Sequence, residues 1–128
     1  MSKSKLQDQI KQLSLDLITD LGVIFNKSSE QNDLIAAELY YNTTDKAKTM
    51  QNAVRYLLPY KLQISKRDVK FFEKNTYIFD GLPEDRLQYY KNILLEKNNK
   101  RISNENMDII WEYLEAIIQC AESYKKLQ

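Results

Sequence analysis

The sequence predicts an all-α fold, a compact single domain over residues 1–128 built from five to six helices, with the C-terminal helix central. Three observations carry this expectation. Apolar residues recur at three- and four-residue spacing over residues 6–24 and again over 107–121. Two Gly and two Pro are few for turn-rich β folds and for the glycine loops that cradle phosphate. A length of 128 residues fits one domain that can bury a core without disulfides or metals.

Over residues 4–25, Leu6, Ile10, Leu13, Leu17, Leu21 and Ile24 form an apolar stripe widened by Ile18 and Phe25, with Lys5, Gln9, Gln12, Asp16 and Thr19 opposite. Part of this pattern is heptad-like and admits self-association through residues 6–24 as a coiled-coil arm. Asp20 interrupts the seam and barely three heptads fit, so one helix of a bundle is the stronger reading. Ser28 and Gln31 stand at capping-box spacing ahead of a helix to about Tyr41. Asn42-Thr43-Thr44-Asp45 then reads as a break and a new N-cap. The stripe Ala47, Met50, Val54, Leu57 and Leu58 follows, up to Pro59, which lacks the N–H needed to continue the ladder. Two helices and one kinked helix both fit this stretch.

Residues 60–64 alternate apolar and polar, leaving room for a short extended segment. Ser65 with Asp68 offers another cap, placing Val69 and Phe72 inward on a short helix to about Asn75. Residues 76–79 are too short to classify by period. Asp80-Gly81 marks a turn, and Pro83-Glu84-Asp85 reads as a helix entry with proline at the first position and two carboxylates at the positive end of the dipole. Leu87, Tyr90, Ile93 and Leu94 supply its buried face before the polar break Asn98-Asn99-Lys100-Arg101.

Ser103 can cap the last helix, whose face Met107, Ile110, Trp111, Leu114, Ile117, Ile118 and Ala121 is continuous. Ile109, Tyr113, Ala116 and Cys120 extend that face past half the circumference. A helix apolar over so much of its surface is packed against several others, which is the reason for placing it centrally. Asp108, Glu112, Glu115, Gln119 and Glu122 remain as a polar stripe, read as its solvated side.

Lys plus Arg (19) nearly balances Asp plus Glu (18), so net charge selects no class of partner. The chain has no His, the commonest general base and zinc ligand, and its one Cys excludes an intramolecular disulfide or a multi-Cys metal site. The paired acids Asp68 with Glu73 and Glu84 with Asp85 read as caps or solvated groups. Glu112 and Glu115 lack the Glu-x-x-His partner of di-metal sites. No catalytic, cofactor-binding or metal-binding residues are assigned, and the expectation is of a non-enzymatic protein. The N-terminus lacks the uninterrupted apolar run of a signal peptide, and no segment reaches the roughly 20 apolar residues of a membrane span, so no membrane is expected and the expected setting is the cytoplasm.

Two basic segments remain as candidate binding surfaces. Residues 61–74 carry Lys61, Lys66, Arg67, Lys70 and Lys74 against two acids, and residues 91–101 carry Lys91, Lys97, Lys100 and Arg101 against Glu96. Such patches can neutralise phosphates, with Tyr60, Tyr77 or Tyr89 as stacking faces, although nucleic-acid domains are usually basic overall. The adjacent aromatic pairs Tyr40-Tyr41, Phe71-Phe72 and Tyr89-Tyr90 diverge by about 100° on a helix, which sets some rings, Tyr40 and Tyr89 among them, at a rim suited to protein contacts. Trp111 reads as a core anchor.

From Leu58 onward the chain carries Pro59-Tyr60, then Ile64, Asp68, Phe71, Phe72 and Asn75, then Ile110, Trp111 and Tyr113. This pattern resembles helical proteins of large nucleocytoplasmic DNA viruses over about the C-terminal 70 residues. The Asn-, Lys-, Ile- and Tyr-rich composition agrees with an A/T-rich genome. The resemblance implies a protein of the infected cytoplasm or the virion, and no mechanism. The resulting expectation is a protein-interaction or virion-associated module, with nucleic-acid or phosphate-surface binding through the two basic segments as the alternative.

Overall fold

The computed structural model describes residues 1–96 and 101–128. In chain order they form α1 (Lys3–Ile24), α2 (Ser28–Thr43), α3 (Lys46–Tyr56), α4 (Lys61–Ser65), α5 (Phe71–Lys74), α6 (Glu84–Leu95) and α7 (Asn104–Lys126), with 3₁₀ turns at Leu58–Tyr60 and Tyr77–Phe79. Five of these, α1, α2, α3, α6 and α7, have eleven residues or more, and no strand occurs among the described residues. The all-α expectation is therefore met, and α7 packs on α1, α3 and α4. Helix α1 is equally embedded, against α7, α2 and α3.

The two long helices run antiparallel. Near one end the Cys120 thiol donates to the Leu6 carbonyl oxygen at 3.1 Å, and toward the other the Tyr113 hydroxyl donates to Asp20 at 2.5 Å. Leu6, Ile10, Leu17, Ile18, Leu21 and Ile24 of the α1 stripe are buried in the chain's own core, and Leu13 at its edge is partly buried.

Several local expectations are corrected. The cap of α2 is Lys27 rather than Ser28, and Glu30 accepts from the Lys27 amide at 3.1 Å. Gln31 instead donates to the carbonyls of Gly22 and Phe25, both at 2.9 Å, and so closes the end of α1. Residues 28–56 are two helices because Asp45 accepts from the amides of Ala47 and Lys48, starting α3 afresh. The Thr43 and Thr44 hydroxyls bond back to Leu39 and Tyr40, and Lys11 donates to the carbonyls of Asn42 and Thr44.

Residues 60–64 are a 3₁₀ turn running into α4, not an extended segment. Only Ile64 of α4 is buried, one inward residue per turn, while Leu62 faces solvent. Arg67, at φ 53°, reverses the chain after α4. The following helix is a single turn, so Phe71 and Phe72 face inward and Val69 is exposed, unlike the expected Val69 and Phe72 pairing. Pro83 sits one position earlier than expected, as the cap of α6.

Residues 75–79 thread the core. Asn75 donates to the Tyr56 carbonyl and accepts from the Tyr77 amide at 3.1 Å. The Tyr41 hydroxyl donates to the Tyr77 carbonyl at 2.6 Å, and the Tyr77 hydroxyl lies 3.3 Å from Ser14 Oγ. Burial pushes the Tyr77 hydroxyl up to about 12 and Tyr41 well above the usual tyrosine value. In the unfolded chain both ionise near 10, so the folded state loses stability as pH rises from there through the folded values. Chemical denaturation between pH 8 and 12 is expected to show a steep fall beginning near pH 10. Replacing both tyrosines by Phe should flatten that fall; an unchanged profile would place the sensitivity elsewhere.

Candidate functional site

The first basic segment is partly neutralised by α7. Lys61 lies 2.5 Å from Glu122, and Arg67 donates to Asp108 at 2.6 Å and sits 3.9 Å from Glu115. Asp108, Glu115 and Glu122 recur every seven residues and so line one side of the helix. The stripe expected to be solvated is divided. These three acids meet α4 and the turn after it, whereas Glu112 lies along the opposite edge and Gln119 borders both sides. The hydrogen bond from Lys61 holds the Glu122 carboxyl below its ordinary range. Lys66, Lys70 and Lys74 are exposed and form no ion pair with any described residue. In the second basic segment, Lys97 and Lys100 lie outside the described residues.

Arg101 and Tyr89 belong to a clamp between α2 and the second half of the chain. Glu30 is fully buried, with a relative exposure of 0%. Its carboxylate accepts from Arg101 at 2.7 Å, from the Tyr89 hydroxyl at 2.5 Å and from the Lys27 amide. Burial acts to raise this carboxyl, but the hydrogen bonds from Arg101, Tyr89 and Lys27 outweigh it and hold the group below the usual carboxylate value. One turn on, Asp33 Oδ2 accepts from Arg86 Nε and a terminal nitrogen at 2.9 and 2.7 Å, and from the Tyr90 hydroxyl at 2.6 Å. Arg86 also lies over the Tyr89 ring, 4.4 Å from its centroid. Two carboxylates, two guanidiniums and two phenols thus satisfy one another. Tyr90 anchors the clamp in the core, stacked on Phe79 at 4.4 Å and edge-on to Phe25 at 5.1 Å.

Tyr40, expected at a binding rim, is half-buried. Its ring stands edge-on to Tyr41 at 5.2 Å and packs under Gly81, where an added Cβ would meet Tyr40 Cγ at 2.7 Å. The turn predicted at Asp80-Gly81 therefore needs glycine for close approach, not for an unusual backbone angle.

An open surface lies elsewhere, along the outer seam of α1 and α7. Two adjoining hollows of about 400 Å³ each share Leu13 and Ala116. One reaches Leu6, Gln9, Gln119, Cys120 and Leu127, and the other Asp20, Ile109, Glu112 and Tyr113. Ile109 and Leu127 stay 36% and 47% exposed at its two ends. The Asp20 hydrogen bond, with burial and the charges of Asp20 and Asp16, pushes the Tyr113 hydroxyl up to about 12, so it remains a donor to Asp20 at neutral pH. Burial pushes the Cys120 thiol up to about 11, making it a packing group of the groove floor rather than a nucleophile.

No known protein family, characterised protein or solved structure matches the chain. Its class is thus defined by the fold alone: an all-α helical bundle, with no helix among the described residues long and apolar enough to cross a membrane.

Neither the clamp nor the groove is written in local sequence spacing. Glu30 and Asp33 lie 71 and 53 residues from Arg101 and Arg86, beyond any local spacing rule. The groove did leave a signal. Ile109, Tyr113 and Ala116, the residues that widened the apolar face of the last helix, are the ones that line it.

Proposed function

We propose that the chain is a non-enzymatic protein-interaction module whose docking surface is the α1–α7 groove. The observation that carries this reading is the uncovered apolar arc of α7. The chain buries Ile110, Leu114, Ile117, Ile118 and Ala121 internally, yet leaves Ile109 and Ala116 lining an open trough. An apolar trough between two helices is the geometry in which a helix-in-groove contact forms. The resemblance to viral helical proteins supports a setting in the infected cytoplasm or the particle.

A photo-crosslinking amino acid at Gln119, on the groove, and at Asn92, on the exposed side of α6, tests the reading in the native cell. Adducts are expected from position 119 and not from 92, and they should vanish when Ile109 and Leu127 are changed to Asp with helical content unchanged. Equal yields from both positions, or adducts indifferent to the Asp substitutions, would refute it. The nucleic-acid alternative keeps Lys66, Lys70 and Lys74 as its exposed cations. A steep salt dependence of oligonucleotide binding that disappears when these three become Gln would favour it.

A further inference from the structure

The rims of the α1–α7 groove are charged in opposite senses at their two ends. On α1 the rim runs from the exposed Lys5 and Gln9 to the half-buried Asp16 and Asp20, residues that share one helical face by their spacing. On α7 it runs Glu112, Gln119, Ser123, Lys126, again on one face. Because the helices are antiparallel, Lys5 and Lys126 fall at one end of the groove, and Asp16, Asp20 and Glu112 at the other. None of these five groups forms an ion pair with any described residue, although six such pairs occur elsewhere among them. The groove is thus apolar along its floor, basic at one end and acidic at the other.

A two-fold axis through the middle of such a surface places the acidic end of one copy on the basic end of the other, twice. That is the self-complementarity an isologous interface requires. Resting on the reading of the groove as a docking surface, we propose that its occupant is a second copy of this chain. The α1–α7 pairs of the two copies pack across the groove as an antiparallel four-helix bundle, with Lys5 and Lys126 of each copy facing Asp16 and Glu112 of the other. The apolar contact is made by Leu13, the partly buried edge of the α1 stripe, with Ala116, Ile109 and Leu127, while the rest of that stripe is buried in the monomer. From Lys5 to Asp20 the face runs about 22 Å, and two helices side by side are about 20 Å across. That is less than the roughly 800 Å² per partner of a standard stable interface, so a weak, concentration-dependent dimer is expected.

Sedimentation equilibrium of the full chain over a wide concentration range tests the proposal, since a weak dimer forms only at the upper end of it. Asp20 is left unchanged in every variant because it holds Tyr113. The variant Asp16→Lys with Glu112→Lys should be monomeric, because two of the three acids at its acidic end become cations and Asp20 alone remains there. The variant Lys5→Glu with Lys126→Glu should be monomeric as well, its ends all acidic. An equimolar mixture of the two should recover dimer, because each rim then meets its opposite, and added salt should weaken that recovery. Circular dichroism checks that both variants keep their helical content. A wild type monomeric throughout the range overturns the proposal, as does a dimer that both variants retain or a mixture that fails to associate. A monomer that still gives crosslinked adducts from position 119 would overturn the second copy as occupant while leaving the groove as a docking surface. A monomer without adducts would remove both.

Discussion

Replacing Arg101 by Met is expected to destabilise the fold by about 2–3 kcal/mol at pH 7, more than a surface ion pair would predict. The reason is the asymmetry of the pair. Arg101 is 28% exposed while Glu30 is fully buried, so the substitution strands the carboxylate, not the guanidinium. Exposed pairs contribute about 0–1 kcal/mol, whereas removing one partner of a buried pair costs about 3–5 kcal/mol. The expected cost falls at or just below the bottom of that range because the Tyr89 hydroxyl and the Lys27 amide still solvate Glu30.

The pH dependence separates the two cases. In the wild type the folded Glu30 carboxyl lies below its ordinary 4.5, so its contribution is present above that value and is lost as pH falls through the folded value. Without Arg101 the first of the hydrogen bonds that oppose burial is lost and the carboxyl shifts upward, so part of the penalty is relieved on protonation. The stability gap between wild type and variant, measured by urea denaturation, should therefore narrow between pH 7 and pH 4. Adding Glu30→Gln to the Arg101→Met variant should recover part of the loss at pH 7. A gap below about 0.5 kcal/mol with no pH dependence would return the pair to the surface class.

Trp111→Ala is expected to cost about 4 kcal/mol, within the range for emptying a large aromatic site. Trp111 is 3% exposed and lies 5.0 Å from the Phe72 ring and 6.2 Å from Phe71, which in turn meets Tyr60 at 5.7 Å. This cluster fastens the segment from the 3₁₀ turn to α5 onto α7. Its loss approaches the whole stability of a marginal domain, about 5–15 kcal/mol, so the variant should unfold at low denaturant or be molten at 37 °C. Trp111→Phe keeps most of the contact and should cost less than half as much. A Trp111→Ala variant losing under 1 kcal/mol would contradict its role as an anchor.

Several residues of the pattern that begins at Pro59 meet in this cluster. Tyr60, Phe71, Phe72 and Trp111 touch in series, Ile64 and Ile110 are buried, and Asn75 ties residues 75–77 to the end of α3.

Helix identity was legible in the sequence because a helix is a local object. Hydrogen bonds reach four residues, and an apolar stripe over residues 6–24 or 107–121 repeats within that reach. The caps at Asp45 and Ser103 were legible for the same reason. Short segments were not. Over residues 60–79 each element spans five residues or fewer, too few for a period, and contact with the core decided which side chains turned inward. The use made of each charge was likewise a tertiary decision. Lys61 and Glu122 are 61 residues apart, and Arg101 and Glu30 are 71 apart. From the sequence alone Lys61, Arg67 and Arg101 resemble a surface for anions, and only the docking of α4 and α2 turned them to internal acids. The sequence by itself determined that the last helix is apolar over more than half its surface. The antiparallel packing of α1 on α7 decided which part of that surface this chain could cover, and left the rest open as a groove. Periodicity specifies how much of a helix must be buried, whereas topology specifies against what.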